Sequence, residues 1–405
     1  MNIGLFTDTY YPQVSGVATS ILTLRETLEA QGHQVYIFTS TDPKVAKNVY
    51  ERNIFRFPSF PFTGFPDRRL AYSGALHAVQ IAKELDLDIV HTQTEFSMGM
   101  IGKFVAFTLK IPAIHTYHTM YQDYLHYVAN GKLIKPGTVK TAIRNYLKNM
   151  EGVVAPSQLV LDTMLEYGVT APVRVIPTGV NVHSEVTTED VAQLRTQFGF
   201  ETDTPVALSL GRLAFEKNIE DTINAFSKIV DTIPAAKLLI AGDGPARESL
   251  EKRVTDLHLE KSIIFTGMID HSEVPKYYAM ADVFVSSSDS ESQGLTYLEA
   301  LVQHTPIVVM DSPYVEWLIS DPSIGISLNT VEDLGEALTT YLNKTAAVGD
   351  VTKRDIKIEE VSAEHFGNEM LDFYQTVIND YNANEEQTGD SLFGTISNPF
   401  KRWHE

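Results

Sequence analysis

Short runs of aliphatic and β-branched residues alternate with segments whose apolar positions recur every three to four residues, along nearly the whole chain. Asn2–Thr7 and Gln34–Thr39 read as strands on either side of an amphipathic helix over Ala18–Ala30 that Gly32 closes. Ile89–His91, Pro112–His115 and Gly152–Ala155 have the apolar character of buried strands. The pattern then starts again, with strands at Val206–Leu210, Ala236–Ala241, Ser262–Phe265, Val283–Ser286 and Pro306–Met310 and a helix over Ile219–Val230. Strand–helix–strand alternation predicts parallel sheets with helices on both faces. Two doubly wound units follow, residues 1–180 and 181–380, with a seam at 180–203 beside Pro177 and Gly179 that includes the polar stretch Thr187–Asp203. After Tyr381 the sequence turns polar, and residues 381–405 are expected to form a mobile tail ending in the frayed Pro399-Phe400-Lys401-Arg402-Trp403.

Composition narrows the classes. At 405 residues the chain is comfortable for two domains. It has no cysteine, which excludes disulfides, thiolate zinc sites and cysteine nucleophiles. No uncharged apolar run is long enough for a bilayer span. The opening Met-Asn-Ile-Gly-Leu-Phe-Thr-Asp lacks the basic and apolar regions of a secretory signal, so a cytosolic chain is expected. The net charge of −20 is uneven. Residues 1–180 hold 16 Lys and Arg against 14 Asp and Glu; the remaining 225 hold 16 against 38. So acidic a half repels phosphate backbones, which argues against a nucleic-acid partner. The near-neutral half has one basic stretch: from Tyr124 to Met150 the charged residues are Lys132, Lys135, Lys140, Arg144 and Lys148.

Five constellations carry candidate chemistry. Glu291-Ser-Gln-Gly294-Leu-Thr-Tyr-Leu-Glu299 follows a strand and enters a helix. The amides of Gly294, Leu295 and Thr296 then lie at a helix N-terminus, an anion site flanked by two carboxylates; a solvated acidic loop before a capped helix has the same pattern. Gly211-Arg212-Leu-Ala-Phe-Glu-Lys217-Asn218 sets two cations in the loop after a strand, suited to a diphosphate or to surface ion pairs. At an effective dielectric of 20, each unit-charge pair about 4 Å apart is worth roughly 4 kcal/mol. Gly242-Asp243-Gly244-Pro245 departs from the dinucleotide fingerprint, because Arg247 stands in the place of the third glycine. It reads equally as a ligand loop or a plain tight turn, and it argues against nicotinamide chemistry. His115 and His118 lack a third ligand at metal spacing. His118, past the strand end, points to the cleft where such folds bind ligands, and His115 reads as a packed histidine. Ser15-Gly16, after the first strand, opens a helix where glycine permits close approach to a ligand or simply makes a turn.

Together these residues resemble the retaining glycosyltransferases of family four, from residue 1 to about 380. The most specific parts are Glu291-x7-Glu299, Gly211-Arg212…Lys217-Asn218 and Pro177-Thr178-Gly179-Val180. Phe6-Thr-Asp-Thr-Tyr-Tyr-Pro12 and His115-Thr-Tyr-His-Thr-Met-Tyr121 look like a bacterial subfamily that glucosylates diacylglycerol. Relatives often carry Gly-Gly where this chain has Ser15-Gly16. The resemblance implies the α/β GT-B fold, two facing Rossmann-like domains with mostly parallel sheets and an interdomain cleft. It implies transfer of glucose from UDP-glucose to the 3-hydroxyl of 1,2-diacylglycerol, forming α-monoglucosyldiacylglycerol. Arg212, Lys217 and the amides of Leu295 and Thr296 would hold the diphosphate, with Gly16 a weaker contact. Glu299 would meet the ribose, the backbone near Met268 the uracil, and the amides around Gly294 the sugar. Glu291 would lie beneath the sugar ring, and His118 would approach the sugar and acceptor from the other domain. No metal or other cofactor is implied. Two alternatives remain: another UDP-sugar or a soluble or polyprenyl-linked acceptor, and a non-catalytic nucleotide-sugar-binding scaffold. A hydrolase with the two glutamates as acid and base leaves Arg212 and Lys217 without a task.

A lipid acceptor implies a peripheral enzyme on an anionic membrane surface, on the inner face of the bacterial cell membrane. Val139, Ile143, Tyr146, Leu147 and Met150 recur at helical spacing beside the row Lys140, Arg144 and Lys148, a helix able to lie on such a surface. The same spacing suits a Rossmann helix with its apolar side on the sheet and lysines at the rim. Phe57-Pro-Ser-Phe-Pro-Phe-Thr-Gly-Phe65, with Arg68-Arg69, offers an aromatic-basic edge. Oligomeric state is not legible.

Overall fold

The computed structural model describes residues 1–13, 15–45, 50–62, 69–120, 136–182, 186–346 and 349–396. Tyr121, Lys132, Lys135, the 63–68 part of the aromatic-basic stretch and the terminal cluster lie outside them. The chain forms two compact units: residues 1–156 and 160–176 with the chain from Phe366 onward, and residues 157–159 with 177–365.

In unit 1 the strands are β1 (Asn2–Thr7), β2 (Gln34–Ser40), β3 (Ile54–Phe57), β4 (Ser59–Pro61), β5 (Arg69–Ala71), β6 (Ile89–Thr92), β7 (Ala113–Thr116), β8 (Gly152–Ala155) and β9 (Val173–Val175). Seven of them make a parallel sheet in the order β3-β2-β1-β6-β7-β8-β9, and β4 and β5 pair as a separate antiparallel hairpin. The order reverses between β1 and β6, the place where such sheets open a crevice at their carboxyl edge. Helix α1 (Gly16–Ala30) packs on one face of the sheet. On the other face lie α2 (Ala75–Glu84), α3 (Ser97–Leu109), α4 (Pro136–Leu147) and α5 (Gln158–Tyr167).

Unit 2 repeats the plan. It holds α6 (Thr188–Gln197), β10 (Val206–Leu210), α7 (Ile219–Thr232), β11 (Lys237–Ala241), α8 (Arg247–Asp256), β12 (Ile263–Gly267), α9 (Val274–Met280) and β13 (Val283–Ser286). There follow α10 (Leu295–Val302), β14 (Ile307–Met310), α11 (Pro313–Leu318), β15 (Gly325–Leu328), α12 (Leu334–Leu342) and α13 (Val351–Glu360). Its parallel sheet runs β12-β11-β10-β13-β14-β15, with the switch point between β10 and β13. Apolar clusters cover both faces of each sheet.

Two boundaries differ from the sequence reading. The polar stretch from Thr187 contains α6, because Thr187 and Asp190 form a reciprocal capping box: the Thr187 hydroxyl accepts from the Asp190 amide and the Asp190 carboxylate from the Thr187 amide. The last helix, α14 (Ala363–Ile396), returns to unit 1 rather than ending a second domain at 380, and continues through the stretch expected to be a mobile tail. Phe366, Met370, Phe373, Tyr374 and Val377 make its helical stripe, buried on the α1 side of the sheet. Tyr374 Oη lies 2.7 Å from His91 Nδ1 on β6, and Arg174 of β9 donates to Glu369 and Asp372 at 2.9 and 2.6 Å. A Cβ on Gly152 would sit 2.6 Å from the Phe373 ring, so the glycine is what lets helix and strand meet.

Candidate active site

The loops at the β10/β13 switch point of unit 2 bring most of the predicted residues together. After β10 the backbone turns at Gly211 and presents Arg212 at the surface. The glycines of the Gly242-Asp243-Gly244 turn have a structural task. A Cβ on Gly242 would lie 1.9 Å from the Gly211 carbonyl oxygen, and one on Gly244 would lie 2.4 Å from that of Leu213. Leu213 N donates to the Asp243 carbonyl at 3.0 Å, and Ala246 N to the Leu213 carbonyl at 2.9 Å. The turn therefore buttresses the loop that carries Arg212.

Beyond a 3₁₀ turn at Phe215–Lys217, Asn218 adopts φ 51° and opens α7. The loop after β13 is tied to it. Ser287 Oγ donates to the Asn218 carbonyl at 2.6 Å, Ser290 Oγ to that of Glu216 at 3.2 Å, and Asn218 Nδ2 to Asp289 Oδ1 at 3.2 Å. These links hold Lys217 Nζ 2.5 Å from Glu291 Oε1, with both side chains about one-quarter exposed. The expected diphosphate cation and the expected sugar-facing carboxylate thus meet as an ion pair. Gln293, buried between them and α10, clamps the backbone of Thr178: its Oε1 accepts from Thr178 N at 2.9 Å and its Nε2 donates to the Thr178 carbonyl at 2.8 Å. Sequence reading missed the roles of Asn218, Ser287 and Gln293, although all three lie in or beside its motifs; their partners are 69 to 115 residues away.

Gly294 at φ 79° caps α10, and a Cβ there would lie 2.6 Å from the Tyr297 ring. It makes no side-chain cap bond, so the first amides of α10, those of Leu295 and Thr296, remain suited to an anion. About one turn on, Glu299 Oε2 accepts from Tyr278 Oη at 2.9 Å. Burial pushes the Glu299 carboxyl up to about 7, against the hydrogen bond from Tyr278 that lowers it. Glu299 and Tyr278 share a pocket with His271, Val274, Pro275, Val302 and Gln303. Met268 is exposed just after β12.

Unit 1 has its own polar cluster at the β1/β6 switch. The buried Asp8 carboxylate accepts from Thr94 Oγ1 at 2.7 Å, from Ser97 Oγ and from the Met98 amide at 3.1 Å, so it caps α3. His115 is buried as expected, with Nδ1 2.8 Å from Thr92 Oγ1 and Nε2 3.3 Å from Glu95 Oε1. His118, just past β7, is partly exposed, with Nε2 2.7 Å from Gln93 Oε1. With its proton on Nε2 the ring donates to that oxygen, since a carboxamide oxygen only accepts. Gly16 is exposed at the start of α1, where Ser15 Oγ accepts from Ala18 N at 3.2 Å. Ser15 thus caps this helix with its own side chain. Among the described residues no group of three or more His, Asp or Glu could hold a metal ion.

The basic helix corrects one expectation. Val139, Ile143, Tyr146, Leu147 and Met150 are all buried in the core of unit 1, so the apolar side of α4 is used against the sheet and does not lie on a surface. Lys140, 3.9 Å from Glu166, and the exposed Arg144 and Lys148 remain at its rim. Among the described residues no helix is long and apolar enough to cross a membrane.

Residues 14–184 match the family described as Glycosyltransferase Family 4, and residues 190–355 match Glycosyl transferases group 1. The chain is 45% identical to alpha-monoglucosyldiacylglycerol synthase of Streptococcus pneumoniae, over 98% of this chain and 91% of that one. It is 34% identical to the enzyme of the same name from Acholeplasma laidlawii, over 91% and 94%. In fold it is similar to Anabaena Alr3699/HepE, solved in complex with UDP and glucose, with TM-score 0.75 at 18% identity over 93% of this chain and all of that one. It is also similar to a sucrose-phosphate synthase from Thermosynechococcus elongatus, with TM-score 0.72 at 21% identity over 94% and 99%.

Proposed function

The chain belongs to the family 4 glycosyltransferases, and from that premise we propose that it moves glucose from UDP-glucose to the 3-hydroxyl of 1,2-diacylglycerol with retention, giving α-monoglucosyldiacylglycerol. Near-full-length identity to two enzymes named for that product supports the reading. The observation that carries it is the cluster at the β10/β13 switch: Lys217 against Glu291, Arg212 on the buttressed loop, and the open N-terminus of α10.

The difficult event is breaking the bond between the anomeric carbon and the β-phosphate oxygen. Negative charge grows on UDP and positive charge on the sugar. Arg212, Lys217 and the amides of Leu295 and Thr296 stabilise the first, taking the role a metal has elsewhere; the Glu291 carboxylate stabilises the second. The acceptor oxygen bonds to the anomeric carbon on the face the phosphate leaves, and its proton passes to the departing phosphate oxygen. Glu299 accepts from the ribose hydroxyls, the backbone near Met268 meets the uracil, and the amides around Gly294 meet the sugar. Gln93 holds the ring of His118, and His118 is the histidine assigned in this reading to the sugar and acceptor. Because the acceptor is water-insoluble, the enzyme works as a peripheral protein on an anionic membrane surface, the inner face of the cell membrane.

Incubation with radiolabelled UDP-glucose or UDP-galactose and phosphatidylglycerol vesicles containing diacylglycerol should give a glucolipid with an α anomeric proton by NMR. A galactolipid or a β product would overturn the donor or the stereochemical assignment, and UDP release without any lipid product would overturn the acceptor.

Glu299 gives this reading a pH dependence. With its carboxyl at about 7, the group is largely neutral near pH 6 and ionised near pH 8. A carboxylate holds a hydroxyl more tightly than the neutral acid by about 1 kcal/mol, so UDP affinity should rise about fivefold across that range. Glu299→Gln should lack this part of the rise. The phosphate's own ionisation is common to both proteins, so equal pH profiles by calorimetry would refute the assignment.

A further inference from the structure

Unit 1 exposes an apolar face that neither its core nor its candidate site uses. On α3, Met100, Phe104 and Phe107 stand at i, i+4 and i+7 and are 57%, 40% and 84% exposed. A row of that spacing is one face of a helix, and its opposite face, with Met98, Val105 and Ala106, is buried in the core. The row is extended from the neighbouring elements. Exposed Phe60 of β4 and Tyr72 after β5 stack with ring centroids 6.3 Å apart, and Leu76 is exposed at the start of α2, which packs beside α3. The β4–β5 hairpin is fixed to the start of α3 by the Ala71 amide donating to Ser97 Oγ at 2.7 Å. Single exposed apolar residues are ordinary; this many large ones on adjoining elements mark a binding surface.

Its charge says what covers it. Residues 97–110 and 136–150, which span α3, α4 and their C-terminal flanks, contain Lys103, Lys110, Lys140, Arg144 and Lys148 and no Asp or Glu. Lys103 draws α4 against α3, donating to the Tyr146 carbonyl and to that of Lys148 at 2.9 Å. These bonds bring the C-terminal end of α4, with the exposed Arg144 and Lys148, to Lys103 on α3. A bilayer with anionic headgroups matches this combination: acyl chains for the aromatic row and phosphates for the cations. The row also begins at the carboxyl edge of the sheet of unit 1, since Ser97, at the first turn of α3, donates to Asp8 just after β1.

We infer that the Met100–Phe104–Phe107 face of α3, with Phe60, Tyr72 and Leu76, is the surface that inserts into an anionic bilayer, and that Arg144 on α4 and Lys148 just after it give that docking its electrostatic part. The inference rests on the lipid-acceptor reading and moves the apolar contact from α4, whose own apolar side is buried, to α3.

The test is flotation with phosphatidylglycerol–phosphatidylcholine vesicles. Phe104→Ser/Phe107→Ser should bind about tenfold more weakly than the unaltered protein, at low and at high salt alike. Arg144→Ser/Lys148→Ser should lose binding at low salt and leave the salt-resistant part intact. Because the altered phenylalanines are exposed, UDP affinity and thermal midpoint should not change, and glucosylation of dioctanoylglycerol in detergent micelles should persist. Unaltered protein that ignores vesicles would overturn the peripheral reading itself. Unaltered protein that binds them while Phe104→Ser/Phe107→Ser binds as well would overturn the α3 assignment alone. So would a dimer in solution that this variant converts to monomers, which would assign the face to a second copy of the chain.

Discussion

Glu291→Gln is expected to lower kcat by about 10²–10³-fold, the usual cost of removing one electrostatic stabiliser from an active site, while UDP binds as tightly as before or more tightly. The opposed directions come from one contact. Lys217 Nζ sits 2.5 Å from Glu291 Oε1, so the cation assigned to the diphosphate is partly neutralised by the carboxylate assigned to the sugar. Glutamine keeps the shape and a weaker hydrogen bond but releases the charge of Lys217 for the phosphate. In the transition state the same exchange is harmful, because positive charge growing at the anomeric carbon loses its only close anion in this assignment. A general disturbance of the loop would weaken UDP binding and turnover together. Calorimetry with UDP alongside turnover with diacylglycerol separates the two: kcat within threefold of the unaltered enzyme, or UDP affinity lost in parallel, would reject the role of Glu291.

How much of this arrangement the chain announces depends on the range of the interaction. The strands at Asn2–Thr7, Val206–Leu210 and Val283–Ser286 were legible because each is a short apolar run between turn residues, and they form with those bounds. That the Glu291–Glu299 and Gly211–Asn218 segments meet was legible from their places after strands, since loops after parallel strands converge at a switch point. What was not legible depends on partners far along the chain. The Gly242–Gly244 turn read equally as a ligand site, and it is the Gly211 and Leu213 carbonyls, some thirty residues away, that explain its glycines. The stripe of α14 is plain at helical spacing, but nothing local says that Phe373 meets Gly152 or that Tyr374 meets His91. The apolar positions of α4 and the exposed ones of α3 show the same limit: both are periodic, and only packing decides which row faces the core.

The strongest loss of donor binding is expected from Lys217→Ala, and its size should depend on whether Glu291 is present. Removing the cation withdraws attraction for the diphosphate and leaves Glu291 as an unpaired carboxylate near incoming negative charge. At an effective dielectric of 20, a unit pair about 4 Å apart is worth roughly 4 kcal/mol, and the one-quarter exposure of both side chains reduces that to about 2–3 kcal/mol, or roughly 30- to 150-fold in affinity. In Lys217→Ala/Glu291→Gln the repulsive part is gone, so UDP should bind several-fold more tightly than to Lys217→Ala alone, although turnover stays low. Such non-additivity is the signature of two groups acting on one charge. Lys217→Arg tests geometry instead: it keeps the charge, and because Lys217 is held by a loop fixed through Ser287 and Asn218, the larger head should restore most of the affinity and less of the rate. Additive effects in the cycle, with the double variant binding UDP no better than Lys217→Ala, would mean that Lys217 and Glu291 do not share the phosphate's field, and the assignment of the diphosphate to this loop would fall.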